Sequence, residues 1–265
     1  MPVACATFIA SSGDEGGLAC PSVKYFNGNP NAKFIASVES PADDPFVTAV
    51  GGGNLETTPP ALPALTSLYV SENGDGDPEI PYDPYGVGVN LPNGYWGAGG
   101  GVSTIFAEPF YQTALANSAG RIIPDVGMLV GGCPGGLLLG PCPADRSAAI
   151  VTFAGARLGV IGTSVSAPEF AGAVSLFVEK GGQRVGTLNP YLWSLGSVQD
   201  DLGGVKAAAP AQFFHKKIKG FDGFWHQPSA VPFGYIHGNG SPNVRTLFGM
   251  TGFAPAGDPR TPSNP

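Results

Sequence analysis

A chain of 265 residues is long enough for one large core, and a 43% hydrophobic content supplies it, although 41 Gly and 27 Pro punctuate the sequence throughout. With 13 Lys and Arg against 20 Asp and Glu, a net charge of -7, there is no basic stripe to neutralise phosphates, so a nucleic-acid partner is not expected. No apolar run approaches the roughly 18 residues of a membrane span, so no membrane partner is expected either.

In chain order, residues 3–10 form an apolar, β-prone run that SSGDEGG breaks, the pattern of a buried strand ending in a tight turn. The opening MPVACATFIA lacks a basic segment and reads as strand, not as a signal peptide. KFIASVESPADDPFVTAVGGG repeats strand and turn, with FVTAV leaving through glycines. Residues 57–100 are mostly turn formers with short strands such as LTSLYVSE. GVSTIFAEPFYQTALAN predicts a short helix after Pro109, and AAIVTFAGARLGVIG a hairpin-like strand segment. SAPEFAGAVSLFVEK has helical periodicity with Pro168 in its first turn, so a helix is expected to start just after Ser164. Residues 1–252 form one domain and 253–265 a flexible Pro/Gly-rich tail. Strand, glycine turn and helix in alternation predict a mostly parallel α/β sheet with its functional groups at the carboxyl ends of the strands, where Asp14 and Ser164 both fall.

The four cysteines, Cys5, Cys20, Cys133 and Cys142, include no C-x-x-C step and no neighbouring histidine cluster, which argues against zinc. GGCPGGLLLGPC would close a compact loop by a Cys133–Cys142 bridge in an oxidising compartment, with reduced buried thiols as the alternative. Pairing of Cys5 with Cys20 stays open.

GTSVSAPEF presents Ser164 between small residues at the mouth of a helix, the place of a nucleophile, and a serine hydroxyl needs a base to take its proton. The histidines, His215, His226 and His237, all follow it, and the G-x-S-x-G elbow of lipases and esterases is absent because residues 162–166 read GTSVS. An esterase using a late histidine is therefore a minor alternative.

GTSVSAPEFAG resembles the GTSxxAP signature of subtilisins and of the sedolisins, the serine-carboxyl peptidases. ASSGDEGG is similar to the sedolisin turn that carries an oxyanion aspartate, and SPADDPFVTAVGGG to the family's PAxxPxVxxVGGT strand. GGGVSTIFAEPFYQ and RIIPDV add its GGGxSxxFxxPxYQ and R-x-x-PDV patterns, so five ordered segments carry the resemblance between about residue 7 and residue 249. GGGVS is read as a structural strand and not as a specificity element. The resemblance implies a subtilisin-like, mostly parallel sheet flanked by helices, lacking the N-terminal strands and the helix that bears the Glu/Asp pair, with residues 1–252 as the C-terminal part of a sedolisin-type peptidase domain. It implies hydrolysis of peptide bonds at acidic pH through an acyl-enzyme on Ser164, with Asp14 in the oxyanion hole and peptides or proteins as substrates.

An ionised Asp14 would repel an oxyanion; only the protonated acid can donate to it. A histidine base would be protonated below about pH 6, where a glutamate still serves. In the family that glutamate, backed by an aspartate one turn later, lies upstream of the oxyanion aspartate, and this sequence has no counterpart. Glu39 with Asp43 and Glu79 with Asp83 have the four-residue separation, but each pair brackets a proline, Pro41 or Pro81, and follows Asp14, so they are read as solvated loop carboxylates. Glu15 is read as a turn residue. The expectation is an inactive fragment of a secreted enzyme whose partners are its own missing N-terminal segment and propeptide. A non-catalytic peptide-binding or degenerate homologue is the alternative.

The resemblance also implies a calcium held by an aspartate in F-x-D-I-x-x-G, the next carbonyl and a later G-x-D-x-x-T-G loop. FHKKIKG is read with Lys217 in the first aspartate's place, and PFGYIHGNGSPN puts Gly234 at the second and His237 at the threonine. No cofactor is therefore expected: the Lys217 ammonium partly replaces the ion, and His215 and His237 are packing or surface residues.

Overall fold

The computed structural model describes residues 6–58, 68–79, 82–91, 94–132, 147–182, 184–203, 212–229 and 231–249. Cys5, Cys133, Cys142 and the tail 253–265 lie outside these, and Cys20 is an exposed free thiol.

Strands β1 (Phe8–Ser11) and β2 (Val47–Thr57) run parallel, Phe8 opposite Val47 and Ser11 opposite Val50. Strand β3 (Tyr69–Asn73) adds an antiparallel partner to the far half of β2, and β4 (Val126–Leu129) joins the near part of β2 in parallel. Val50 and Val126 are fully buried in the middle of this sheet. Phe8 is 56% exposed, so the first strand is not the buried one its apolar composition suggests. A β-hairpin of β5 (Ala149–Phe153) and β6 (Ala156–Val160) precedes the long helix α1 (Thr163–Gly181).

Helix α1 lays Ala167, Phe170 and Val174 on Val50 and Val126, and burial of a side chain such as Phe170 contributes about 1.5–3 kcal/mol. It ends at Gly182, whose left-handed φ of 64° lets its N–H close on the Val178 carbonyl. Helix α2 (Asn189–Gly203), not foreseen from the sequence, adds Leu192 to the same core. The helix expected after Pro109 is instead a series of turns. There Gln112 uses its side-chain amide as a strand edge, accepting from Ile122 N–H at 2.9 Å and donating to Ile122 O at 2.7 Å.

The RIIPDV step is a keystone under the sheet. Arg121 and Asp125 are fully buried and paired through two guanidinium nitrogens at 2.9 and 2.6 Å. Asp125 also accepts from Ala49 N–H at 2.8 Å and Trp193 Nε1 at 2.6 Å, so sheet and α2 are fastened to one carboxylate. Among the described residues no helix is long and apolar enough to cross a membrane.

Candidate functional site

Two parallel strands deliver the site residues to the same end of the sheet. The chain leaves β1 at Ser12, whose N–H still bonds to Val50 O at 3.0 Å, and turns through Gly13 and Gly16 at φ of 102° and 59° with Asp14 between them. From the end of β4, Val130 O accepts from Gly162 N–H at 2.6 Å, which seats the start of α1 beside that turn. Gly97 N–H donates to Asp14 O at 2.8 Å and Gly99 N–H to Gly13 O at 2.7 Å, so the glycine-rich stretch supports the Asp14 turn by its backbone.

Asp14 and α1 meet directly. Thr163 donates its N–H at 2.6 Å and its hydroxyl at 2.7 Å to Asp14 Oδ1. Both bonds fall on one oxygen, which leaves Oδ2 to carry the proton when the acid is neutral. Gly162 sits at φ of 121°, and a side chain there would begin 2.9 Å from Asp14 Oδ2. Burial raises the Asp14 pKa above its ordinary 3.8; the two Thr163 bonds oppose this, and the nearby Glu15 reinforces it.

Ser164 is exposed in the first turn of α1, and the helix begins at Thr163, two residues earlier than expected. Among the neighbouring donors, Thr163 N–H goes to Asp14, and Val165 N–H and Ser166 N–H go to Gly162 O at 2.9 and 3.5 Å. The Ser164 N–H takes no acceptor among the described residues, an open donor at the positive end of a 19-residue helix. Pro168 falls four residues after Ser164, in the second turn and not the first, so it offers no helical donor to the Ser164 carbonyl. Ser166 is fully buried and donates to Leu129 O at 3.2 Å, which separates its structural part from the exposed Ser164.

The paired carboxylates are not all solvated loop groups, which corrects that expectation. Asp43 is 2% exposed and accepts from the Ser103 hydroxyl at 2.7 Å; Asp83 accepts from Tyr25 Oη and from the N–H groups of Val87 and Gly88. Glu39 lies against the turn itself, its carboxyl carbon 2.6 Å from where a Gly13 side chain would start. Burial first, then a hydrogen bond that protonated Glu39 donates to Glu15, and the charges of Glu15 and Asp14, raise Glu39 to about 8. Burial and the Glu15 and Asp77 charges raise Glu79. Behind the turn, Asp222 is fully buried and accepts at Oδ1 from Trp225 N–H at 2.6 Å and Phe224 N–H at 3.1 Å. Burial outweighs those bonds and raises it to about 6. Sequence reading set Glu39 aside as a solvated loop carboxylate and did not single out Asp222, because the burial of both is made by contacts distant in the chain.

The histidines take other places. His237 is buried, pushed down to about 4 by desolvation, and packed where side chains on Gly53, Gly74 and Gly127 would otherwise stand. His215 Nδ1 lies 3.2 Å from Glu72 Oε1, and the exposed His226 stacks on Phe221. Lys217 is exposed, which corrects its expected part as an ion substitute; Lys216 beside it is the buried ammonium, with Asp200 and two main-chain carbonyls around it. Among the described residues no group of three His, Cys, Asp or Glu side chains could hold a metal, and the residues at the implied calcium position do not fit that ion.

No family model matches the chain. It is similar to sedolisin of Pseudomonas sp. (strain 101), 28% identical over 167 residues that cover 63% of this chain and 23% of that protein. It is 32% identical over 195 residues to probable tripeptidyl-peptidase SED4 of Trichophyton verrucosum (strain HKI 0517), covering 71% of this chain and 26% of that one. The solved structure of Pseudomonas sedolisin (serine-carboxyl proteinase) complexed with two molecules of pseudo-iodotyrostatin has a TM-score of 0.62 at 23% identity, over 92% of this chain and 55% of that one. The fold is therefore subtilisin-like, and the chain spans 23% and 26% of the length of these two curated relatives.

Proposed function

The chain belongs to the sedolisin family of serine-type peptidases, and from that premise we propose that it carries the nucleophile and oxyanion half of an acid-acting peptidase site. Ser164 Oγ attacks the peptide carbonyl, its proton passes to a base, and the carbonyl oxygen becomes an oxyanion. The Oδ2–H of neutral Asp14 and the open N–H of Ser164 donate to that oxygen. Collapse forms a serine ester and expels the amine with a proton returned by the base; water then hydrolyses the ester by the same steps reversed.

The observation that carries this reading is the pair of Thr163 bonds to a single oxygen of Asp14, which tie the acid to the residue before Ser164 and leave its other oxygen free. No described carboxylate or imidazole is hydrogen-bonded to Ser164, and the base assigned to it is the Glu/Asp pair that the family resemblance implies. On that reading the residues here bind peptides, and cutting requires that pair. Its substrates are peptides or proteins, and secretion of the whole enzyme belongs to the same proposal.

The test is casein hydrolysis by the polypeptide extended to include a Glu/Asp helix. Cleavage near pH 4 that disappears in Ser164→Ala is expected; cleavage that survives Ser164→Ala, or peaks near pH 8, would overturn the assignment.

A further inference from the structure

We propose that the Lys216 ammonium is the built-in cation of the carboxyl-terminal unit, standing where the family resemblance implies calcium, so that this chain folds around a side chain and binds no ion there. The inference does not depend on the peptidase reading. Counted from Phe214, the third position of the F-x-D-I-x-x-G pattern is Lys216, not Lys217.

Local structure fixes where that side chain goes. Gln199 on α2 accepts from Phe213 N–H at 2.8 Å and Phe214 N–H at 2.9 Å, and donates to Phe214 O at 2.8 Å, clamping this strand to the helix. The next inward group, Lys216 Nζ, donates to Asp200 Oδ2 at 2.6 Å, Pro232 O at 2.7 Å and Gly196 O at 3.3 Å. An ammonium has three donors, and all three are used. The acceptors are one carboxylate and two main-chain carbonyls, the all-oxygen set a hard cation takes, but too few for calcium's six to eight ligands. They come from α2 and from the loop at Pro232, so the Lys216 charge joins three separate segments, as a structural ion would. The Lys216 side chain is only 10% exposed.

The second carboxylate position is closed by an independent contact. A side chain on Gly234 would begin 2.0 Å from Gln227 Oε1. That amide is itself committed: its Nε2 donates to Ile218 O at 2.7 Å, and its Oε1 accepts from Ile236 N–H and His237 N–H at 3.2 Å each. Gln227 therefore ties together by hydrogen bonds the loop that an aspartate and an ion would otherwise organise.

Thermal unfolding of the whole chain in EDTA and in excess calcium, with metal analysis of the purified protein, tests this. The wild type is expected to carry no calcium and to melt within about 1 °C in the two conditions, while Lys216→Met melts several degrees lower in both. Lys216→Asp is expected to melt lower in EDTA and to recover with calcium but not with magnesium. One tightly held calcium in the wild type, a fall in its melting temperature on EDTA, or a folded Lys216→Asp chain indifferent to calcium would overturn the proposal. Should Lys216→Asp fail to fold in either condition, the wild-type comparison decides alone.

Discussion

Thr163 gives both its N–H and its hydroxyl to one oxygen of Asp14, at 2.6 and 2.7 Å, so the acid and the serine one residue further on are held by the same piece of chain. Both bonds favour the ionised carboxylate, yet burial prevails and the acid titrates above its ordinary value. The hydroxyl is the removable part. Thr163→Val is expected to raise the Asp14 midpoint further, and Thr163→Ser to restore it. The loss in stability, about 1–2 kcal/mol, should be larger at neutral pH than at pH 3, measured by urea unfolding.

Replacing the acid separates its charge from its donor. In the catalytically complete polypeptide, Asp14→Ala is expected to lower kcat about 10²–10³-fold with KM nearly unchanged. Asp14→Asn keeps an acceptor for Thr163 and a donor that cannot ionise, so the alkaline fall in rate is expected to move to higher pH. A pH–rate profile for the three proteins checks both.

Four buried or half-buried carboxyls favour the folded state in acid. Asp14, Glu39, Glu79 and Asp222 all have raised folded-state values, Glu39 at about 8 and Asp222 at about 6. A carboxyl raised on folding contributes its full stability below its unfolded value, near 4, and that stability is lost as pH rises through the folded value. Buried His237, pushed down to about 4, works the other way between pH 4 and 6.5, where its stabilisation is lost as pH falls, so the fall in urea midpoint is expected chiefly from about pH 6.5 to pH 8. Asp222→Asn should remove the part of the slope between pH 4 and 6, worth about 3 kcal/mol, and Glu39→Gln should flatten the part that continues toward pH 8.

The buried Arg121–Asp125 pair should tolerate no single loss. Arg121→Met leaves Asp125 charged and uncompensated, and the expected cost is about 3–5 kcal/mol. Differential scanning calorimetry at pH 5 measures it; a shift of less than a degree would contradict the keystone role.

How much of this was legible before the structure follows from where the determinants lie along the chain. Asp14 and Ser164 could be paired because each follows a β-prone run and a glycine, and parallel strands bring such turns to one end. The hairpin before α1 was readable for the same local reasons. Helix α2 was not, since Asn-Pro, Gly196 and the serines Ser194 and Ser197 blur its periodicity and its packing against Val50 is long-range. The turns after Pro109 passed for a helix because the backbone bonds are replaced by a side chain, Gln112, whose partner Ile122 lies ten residues on. Glu39 looked solvated because nothing local announces that it packs on Gly13; the choice of Lys216 over Lys217 follows from counting F-x-D-I-x-x-G from Phe214, whereas the carbonyls around Lys216 come from distant segments. The Cys133–Cys142 bridge falls outside the described residues.

The central claim is that Asp14 keeps its proton in moderately acidic solution, and carbon-13 NMR titration of its side-chain carboxyl, assigned by its loss in Asp14→Asn, measures that directly. A midpoint above the ordinary 3.8 is the expected result. A midpoint at or below that value would mean the Thr163 bonds outweigh burial, and Asp14 could not serve as the neutral donor.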